Sequence, residues 1–306
     1  MKKAMNNKGL SIVIPCYNDG NYLVDIIKNI TEKCIISYEI IIVDDGSTDA
    51  TTKKILNKIS EEYNINALVQ SNSGPGAARN FGIKNSKYEY ILSLDADDYA
   101  LDGYLNESLE IIKDGKCDVV YGDAILFGEM DGIWDLSNLK PIMFIKENPL
   151  NNCAVYSKEI WRRVGGYPEN RELIGYEDWI FWLKILASGG RFTYLQKAGF
   201  KYRIRNNSTS KKVKNVNKLS AYISSFDHQI NALEYCRIQG IISSSEFRNI
   251  LSHIYGLLCY YEFSYGSVFR GYKDWGLSHI YSPRISSFSK CIITSQVNRL
   301  LKYLKF

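Results

Sequence analysis

Histidine is scarce in this 306-residue chain: only His228, His253 and His279 occur, and none stands near a cysteine cluster. The seven cysteines fall at positions 16, 34, 117, 153, 236, 259 and 291, with no C-x-x-C pair. A structural zinc site needs grouped Cys and His ligands, so none is expected. An odd number of scattered thiols reads as reduced cysteine in a reducing compartment. No segment approaches the roughly 20 apolar residues that a spanning helix needs. The opening Met1–Lys8 is polar, and the apolar run Leu10–Pro15 is too short for the core of a secretory signal. The expectation is a cytoplasmic protein, with docking on the inner face of the membrane as its one route to lipid. Internal repeats and low-complexity tracts are lacking too. With 45% hydrophobic and 23% charged residues the composition is that of a globular protein, which excludes a disordered chain.

What is present, over the first 120 residues, is an alternation of strand and helix signals. Leu10–Pro15, Glu39–Val43, Ala67–Gln70, Tyr88–Leu94 and Asp118–Tyr121 read as strands. Asn21–Lys33, Thr48–Glu62 (with Ser47 as cap), Ala77–Asn85 and Leu105–Lys113 read as helices. Continuous apolar strands between amphipathic helices predict an α/β fold whose parallel sheet is covered on both faces. Ligands of such sheets bind beyond the carboxyl ends of the strands. That rim receives Tyr17, Asn18 and Asp19 from the first strand, Asp44 to Ser47 from the second, and Asp95, Asp97 and Asp98 from a later one. From about 123 to 175 the pattern is irregular and suits loops over an acceptor. Asp178–Ala187 is an amphipathic helix, and from 213 onward the chain turns helical and tyrosine-rich.

Asp95-Ala96-Asp97-Asp98 places three carboxylates side by side, where their mutual repulsion favours a bound cation. Magnesium or manganese, which take oxygen ligands and bridge carboxylates to phosphates, fit that chemistry. Within Asp44-Asp45-Gly46-Ser47-Thr48-Asp49, Asp44 or Asp45 can accept a hydrogen bond from a base N–H or a ribose hydroxyl. The turn Asn72 to Asn80 contains Gly74-Pro75-Gly76 but puts Arg79 where a dinucleotide fingerprint needs its third glycine, which argues against such a cofactor. Arg79 can brace the acidic rim or meet a nucleotide. Glu177-Asp178-Trp179 opens a helix, whose dipole is expected to hold Asp178 as an anion ready to act as a base.

Taken together, VIPCYN at 13–18, VDDGSTD at 43–49, NSGPGAARNFG at 72–82, DADD at 95–98, GGY at 165–167 and EDW at 177–179 resemble the family-two glycosyltransferases, from about Leu10 to Ser210. The resemblance implies a GT-A fold: a Rossmann-like, mostly parallel sheet flanked by helices, here spanning 1–212, with a C-terminal helical appendage at 213–306. It implies an inverting, metal-dependent transfer from a nucleoside diphosphate sugar, UDP being the expected nucleotide, to a hydroxyl of a glycan or lipid-linked glycan. By the same resemblance Pro15, Tyr17 and Asp45 hold the nucleoside with Asn72 and Arg79 nearby. Asp95 meets the ribose or sugar, Asp97 binds the manganese or magnesium, and Asp178 is the general base. The chain departs from the family at Tyr202-Arg203-Ile204-Arg205, where many relatives read Tyr-Arg-x-His and use the histidine at the metal. Weaker metal binding follows, with Arg203 or Arg205 compensating at the diphosphate.

Charge is unevenly placed. Trp179 to Phe226 holds ten Lys or Arg and no acid, and residues 275–306 hold five bases and no acid. In that tail Ile293, Val297, Leu300, Leu301 and Leu304 share a helical face, the pattern of a segment that docks on an anionic membrane or packs on a protein partner. The tyrosine-rich stretch 213–282 is a candidate interface between copies. No nucleic-acid module accompanies the basic residues, so no nucleic acid is expected. Two alternatives stand beside the transferase. A nucleotidyltransferase calls for a basic loop after the first strand, and Pro15-Cys16-Tyr17-Asn18 has none. A non-catalytic binding module is expected to have lost Asp97 or Asp178, and both are present.

Overall fold

A computed structural model describes residues 8–65, 67–206 and 215–265, with side chains undescribed at 215–220, 222 and 258–265. The sheet begins with a parallel nucleus. Strand β1 (Leu10–Cys16) lies between β2 (Tyr38–Asp44) and β4 (Tyr90–Ser93), and β3 (Leu68–Val69) borders β2. Alternate residues of these strands enter opposite cores. Ile12, Ile14, Ile42 and Leu92 pack on one side, Val13, Ile41, Val43 and Ile91 on the other. Burial on both faces explains why the strands read as unbroken apolar runs. On the first side α1 (Leu23–Lys33) buries Leu23, Ile26, Ile27 and Ile30 at helical spacing. On the second, α3 (Pro75–Asn85) lies against β1 and β2.

Helix α2 (Ala50–Tyr63) starts later than expected, and its cap is Asp49, which accepts from the Thr52 amide at 2.7 Å. Ser47 is unavailable for that task because its hydroxyl accepts from the Asn18 amide at 3.0 Å. It thereby ties the end of β1 to the turn after β2.

Beyond β4 the sheet becomes mixed. The short strand β8 (Val155–Ser157) inserts between β4 and β6 (Val119–Gly128) and runs antiparallel to both. Its three residues are too few to show a period, so the sequence reads as loop there. The same irregular stretch holds β7 (Gly132–Trp134), which pairs antiparallel with β6, and the short helices α5 (Pro141–Lys146) and α6 (Lys158–Arg163). The β6 strand also pairs in parallel with the long β9 (Phe192–Ile204), and β9 in turn pairs antiparallel with β5 (Tyr99–Ala100). This return of β9 matters for the site: it lays Tyr202 to Arg205 alongside Asp95 to Asp98. Helix α4 (Tyr104–Lys113) covers β6 and β8.

Helix α7 (Glu177–Ala187) buries Trp179, Phe181, Trp182 and Leu183 in the second core. On it pack α8 (Asn215–Ile238) and then α9 (Ser244–Tyr265), with Gln229 of α8 donating to the Ile145 carbonyl of α5 at 2.8 Å. The boundary expected at 212/213 and the basic tail at 290–306 fall outside the described residues. Among the described residues no helix is long and apolar enough to cross a membrane.

Close approach of α3 to the sheet requires Gly82. A Cβ there lies 2.4 Å from Val13 Cγ1 and 3.1 Å from Val43 Cγ2. Overpacking of this kind typically costs about 1–3 kcal/mol. Gly82→Ala is therefore expected to lower stability by about that amount in urea unfolding, and an unchanged midpoint contradicts this packing.

Candidate active site

One cleft of about 460 Å³ opens at the carboxyl ends of the parallel strands. Its nucleus end is lined by Pro15, Tyr17 and Asp19 after β1, Asp45 after β2, and Asn72, Gly74 and Pro75 before α3. Its far end is lined by Asp95, Ala96 and Asp97 after β4, Asn152 before β8, Glu177 and Asp178 on α7, and Tyr202, Arg203 and Arg205 at the end of β9. Among the residues singled out in sequence, Asn18, Gly46, Ser47 and Asp98 lie outside this lining, and so does Asp44. Asp44 is 5% exposed and accepts from the Ser47 amide at 2.8 Å, which fixes the turn.

That turn presses against the next loop. Gly46 has φ +72°, and a Cβ on it meets the Asn72 amide nitrogen at 2.8 Å. Asp45 binds the loop directly. Its Oδ1 accepts from Gln70 Nε2 at 2.7 Å and the Ser73 amide at 2.8 Å, and Oδ2 accepts from the Gly74 amide at 2.8 Å. A carboxylate offers about four acceptor positions, so one is left for a ligand. Tyr17 is 44% exposed at the same end and presents a free ring face.

Arg79 does not reach toward a ligand with a free hand. It is 3% exposed and pairs with Asp95 Oδ1 at 2.6 Å and Glu177 Oε1 at 2.9 Å. Burial opposes its charge, yet Asp95 and Glu177 more than offset that, and its pKa moves upward. Glu177 is the residue that sequence reasoning undervalued. Its second oxygen accepts from the Gly175 amide at 2.7 Å, so the acid holds both α3 and the start of α7. The neighbouring Asn80 explains why the motif at 72–82 travels with the one at 165–167. Its amide takes hydrogen bonds from Trp161 Nε1 and the Tyr167 amide and gives them to the Tyr167 carbonyl and Glu169.

Asp178 sits at the helix start as expected, but the dipole does not decide its ionisation. Burial, then the charge of Glu177, push its carboxyl up to about 7 against the pull of Arg79. Its Oδ1 accepts from the Trp179 amide at 2.8 Å, and the Asn148 side chain hydrogen-bonds to it. Asn148 carries no signature in the sequence, and Tyr202 shows there only as the first residue of the stretch that ends in Arg205. Burial, then Asp95 and three further acids including Asp178, raise the phenol of Tyr202.

The two arginines of β9 divide their work. The Arg203 amide donates to Asp98 Oδ1 at 2.9 Å, its Nε donates to the Asp97 carbonyl at 3.1 Å, and its guanidinium lies 4.4 Å from the centre of the Phe127 ring. Arg205 spans two acids: Nε lies 2.7 Å from Asp97 Oδ2, and Nη1 donates to Asp19 Oδ1 at 2.8 Å. Burial lifts the Asp97 carboxyl to about 6 against the pull of Arg205. Asp98, 1% exposed, is raised well above its ordinary range, by burial first and then by Asp95 and Asp97.

No group of three His, Cys, Asp or Glu able to hold a metal occurs among the described residues. What the cleft offers is two rim carboxylates, each with one oxygen left by its arginine: Asp97 beside Arg205 and Asp95 beside Arg79. The lining also carries six carboxylates (Asp19, Asp45, Asp95, Asp97, Glu177, Asp178) against four arginines (79, 171, 203, 205). Such a surplus of negative charge suits a divalent ion that completes its shell from phosphate oxygens and water.

A curled sheet with this order, flanked by helices and carrying an acidic cleft at its strand ends, is the GT-A architecture of sugar transferases. Residues 11–163 match the family described as Glycosyl transferase family 2, and the chain belongs to it. Among its relatives is the glycosyltransferase GlyG of Streptococcus pneumoniae, 35% identical over 124 residues, 40% of this chain and 41% of that protein. TuaG of Bacillus subtilis, a putative teichuronic acid biosynthesis glycosyltransferase, is 27% identical over 66% of this chain and 81% of its own. The crystal structure of Staphylococcus aureus TarS 1–349 with UDP-GlcNAc superposes with a TM-score of 0.64 at 19% identity, over 88% of this chain and 79% of that one. This chain thus spans less than half of GlyG, one of the curated relatives it matches.

The buried Arg79 bridge makes a direct prediction. Removing one partner of a buried pair typically costs about 3–5 kcal/mol because the other charge is left uncompensated. Arg79→Met is expected to destabilise the fold by about that much, and Glu177→Gln added to it is expected to recover part of the loss. Additive losses in the double variant, read by urea unfolding, contradict the bridge.

Proposed function

We propose that the chain transfers a sugar from a UDP-sugar to a hydroxyl of a glycan acceptor, with inversion at the anomeric carbon. The observation that carries the reading is a polarised cleft. Tyr17 and Asp45 at one end and a cationic pair at Arg203 and Arg205 line one cleft with Asp178, whose carboxyl is pushed up to about 7. The TarS complexes hold UDP-GlcNAc or UDP, which supports UDP as the nucleotide. TarS is named as a poly(ribitol-phosphate) beta-N-acetylglucosaminyltransferase and TuaG for teichuronic acid biosynthesis, which supports a polymer as acceptor.

In this reading uracil stacks on Tyr17 and donates to the open position of Asp45, with Pro15 and Asn72 beside it. Asp95 takes a hydroxyl of the ribose or sugar. The diphosphate lies toward Arg203 and Arg205. Asp97, with Asp95, would hold a magnesium or manganese ion, which when bound neutralises charge on the diphosphate. Asp178 accepts the proton of the acceptor hydroxyl as that oxygen attacks the anomeric carbon. The bond from that carbon to the diphosphate oxygen breaks on the opposite face, and UDP leaves with the electron pair. The arginines stabilise the charge that grows on it. A base with a pKa near the working pH is the most effective one.

Two outcomes check this. A general base contributes about 10²–10⁴-fold. Asp178→Asn is expected to lower kcat by about that factor while UDP affinity, read by calorimetry, stays near the wild-type value. The sign of the pH dependence follows from the raised pKa. Asp178 is protonated and idle below about 7, so kcat rises with pH through that value. Burial sets the position of this limb first, then Glu177, with Arg79, the Trp179 amide and the Asn148 side chain pulling the other way. A rate that is flat with pH, or equal in Asp178→Asn, contradicts the assignment. Arg205 is tested apart from turnover. A hydrogen bond to a charged group contributes about 1.5–3 kcal/mol, so Arg205→Ala is expected to weaken UDP binding by roughly tenfold or more.

A further inference from the structure

The segment between α5 and β8 enters the cleft through Asn152. This side chain is 5% exposed, it lines the cleft, and its Oδ1 has no hydrogen-bond partner. Buried amide oxygens are almost always paired, so an orphan on a residue that lines a cleft marks a place for a donor group on a ligand. The segment that presents it is fixed. Asn151 Oδ1 accepts from the Cys153 amide at 3.0 Å, the Asn152 carbonyl accepts from the Ala154 amide at 2.7 Å, and the Tyr104 hydroxyl donates to the Cys153 carbonyl at 2.6 Å. The orphan is therefore held in place by its neighbours rather than left by a loose loop.

Topology says which part of a ligand it meets. The β8 strand runs antiparallel to β4 with Val155 opposite Leu92, so the residues before β8 lie beside those after β4, where Asp95 stands. The charges of Asp98 and Asp95 are felt at Cys153, next in the chain. The nucleoside end, at β1 to β3, lies on the far side of β4 in the sheet order. Asn152 is thus placed at the end of the cleft that also holds Asp95 and Asp178, and away from Tyr17 and Asp45.

Resting on the nucleotide-sugar reading above, we propose that Asn152 selects the donor sugar, its Oδ1 accepting a hydrogen bond from one hydroxyl or amide N–H of the transferred ring. An acceptor oxygen in a closed site favours a sugar that brings a donor to it and rejects the epimer that leaves it unpaired.

The test measures affinity by calorimetry for UDP, UDP-glucose, UDP-galactose and UDP-N-acetylglucosamine on the full chain. Wild type, Asn152→Ala and Asn152→Ser are compared. The expected result is UDP affinity within about twofold of wild type in both variants. Affinity for the preferred UDP-sugar falls about tenfold or more, and the gap between it and its epimer closes. Thermal melting of each variant with saturating UDP shows that it is folded, and the serine variant decides if the alanine variant melts below the assay temperature. Variants that keep both the wild-type UDP affinity and the wild-type order of sugars overturn the proposal for Asn152 alone. A wild-type chain that binds none of the four ligands overturns the nucleotide-sugar reading and this proposal with it.

Discussion

The site depends on one buried cation. Like-charged carboxylates converge from β4 and α7, and without compensation they cannot stay ionised so close together. Arg79 rises between them from α3 and holds Asp95 on one side and Glu177 on the other. Helix α3, the end of β4 and, 98 residues from Arg79, the start of α7 are thereby fixed around the cleft. The same contact places Asp178, one residue beyond Glu177, in the cleft lining. A second cation, Arg205, repeats the device at the rim by joining Asp97 to Asp19. Arg79 is nearly enclosed between its two acids, whereas Arg205 is 30% exposed at the rim.

This division gives the cleft its polarity. At the nucleoside end the acceptors are already engaged: Asp45 spends three positions on the loop from Gln70 to Gly74. It is thus rigid and selective, with a single acceptor position to offer. At the far end polar atoms of the lining residues remain unsatisfied: Asn152 Oδ1 and Arg79 Nε. Groups that stay unpaired at a cost to stability belong where a ligand completes them. The rigid half suits the constant part of a donor, and the unsatisfied half suits the part that differs between donors.

Much of this was legible in the sequence. The parallel nucleus followed from apolar strands separated by helices. The acidic strand ends followed from the rule that places ligands beyond the carboxyl ends. Most of the rim acids singled out line one cleft, but Asp44 and Asp98 do not, and no local pattern separates Asp44 from Asp45. Asp44 turns back onto Ser47, while Asp45 faces the next loop. The sequence did not reveal β8, whose three residues show no period. Nor did it reveal that Arg79 is taken by Glu177, or that Arg205 meets Asp19 across 186 residues. The first pairing depends on how α7 packs against α3, and the second on where β9 returns, and both are properties of the whole fold. The ionisation of Asp178 misled for a related reason. The helix dipole is local and visible, whereas the burial that outweighs it comes from packing.

The central claim is that the two ends of the cleft hold the two ends of one donor. A crystal structure of the chain grown with UDP tests it most directly. The account predicts uracil between Tyr17 and Asp45 and the diphosphate within hydrogen-bond reach of Arg203 or Arg205, with Asp178 left clear on the opposite wall. UDP lying reversed, with its phosphates at Asp45, or bound outside this cleft, contradicts it.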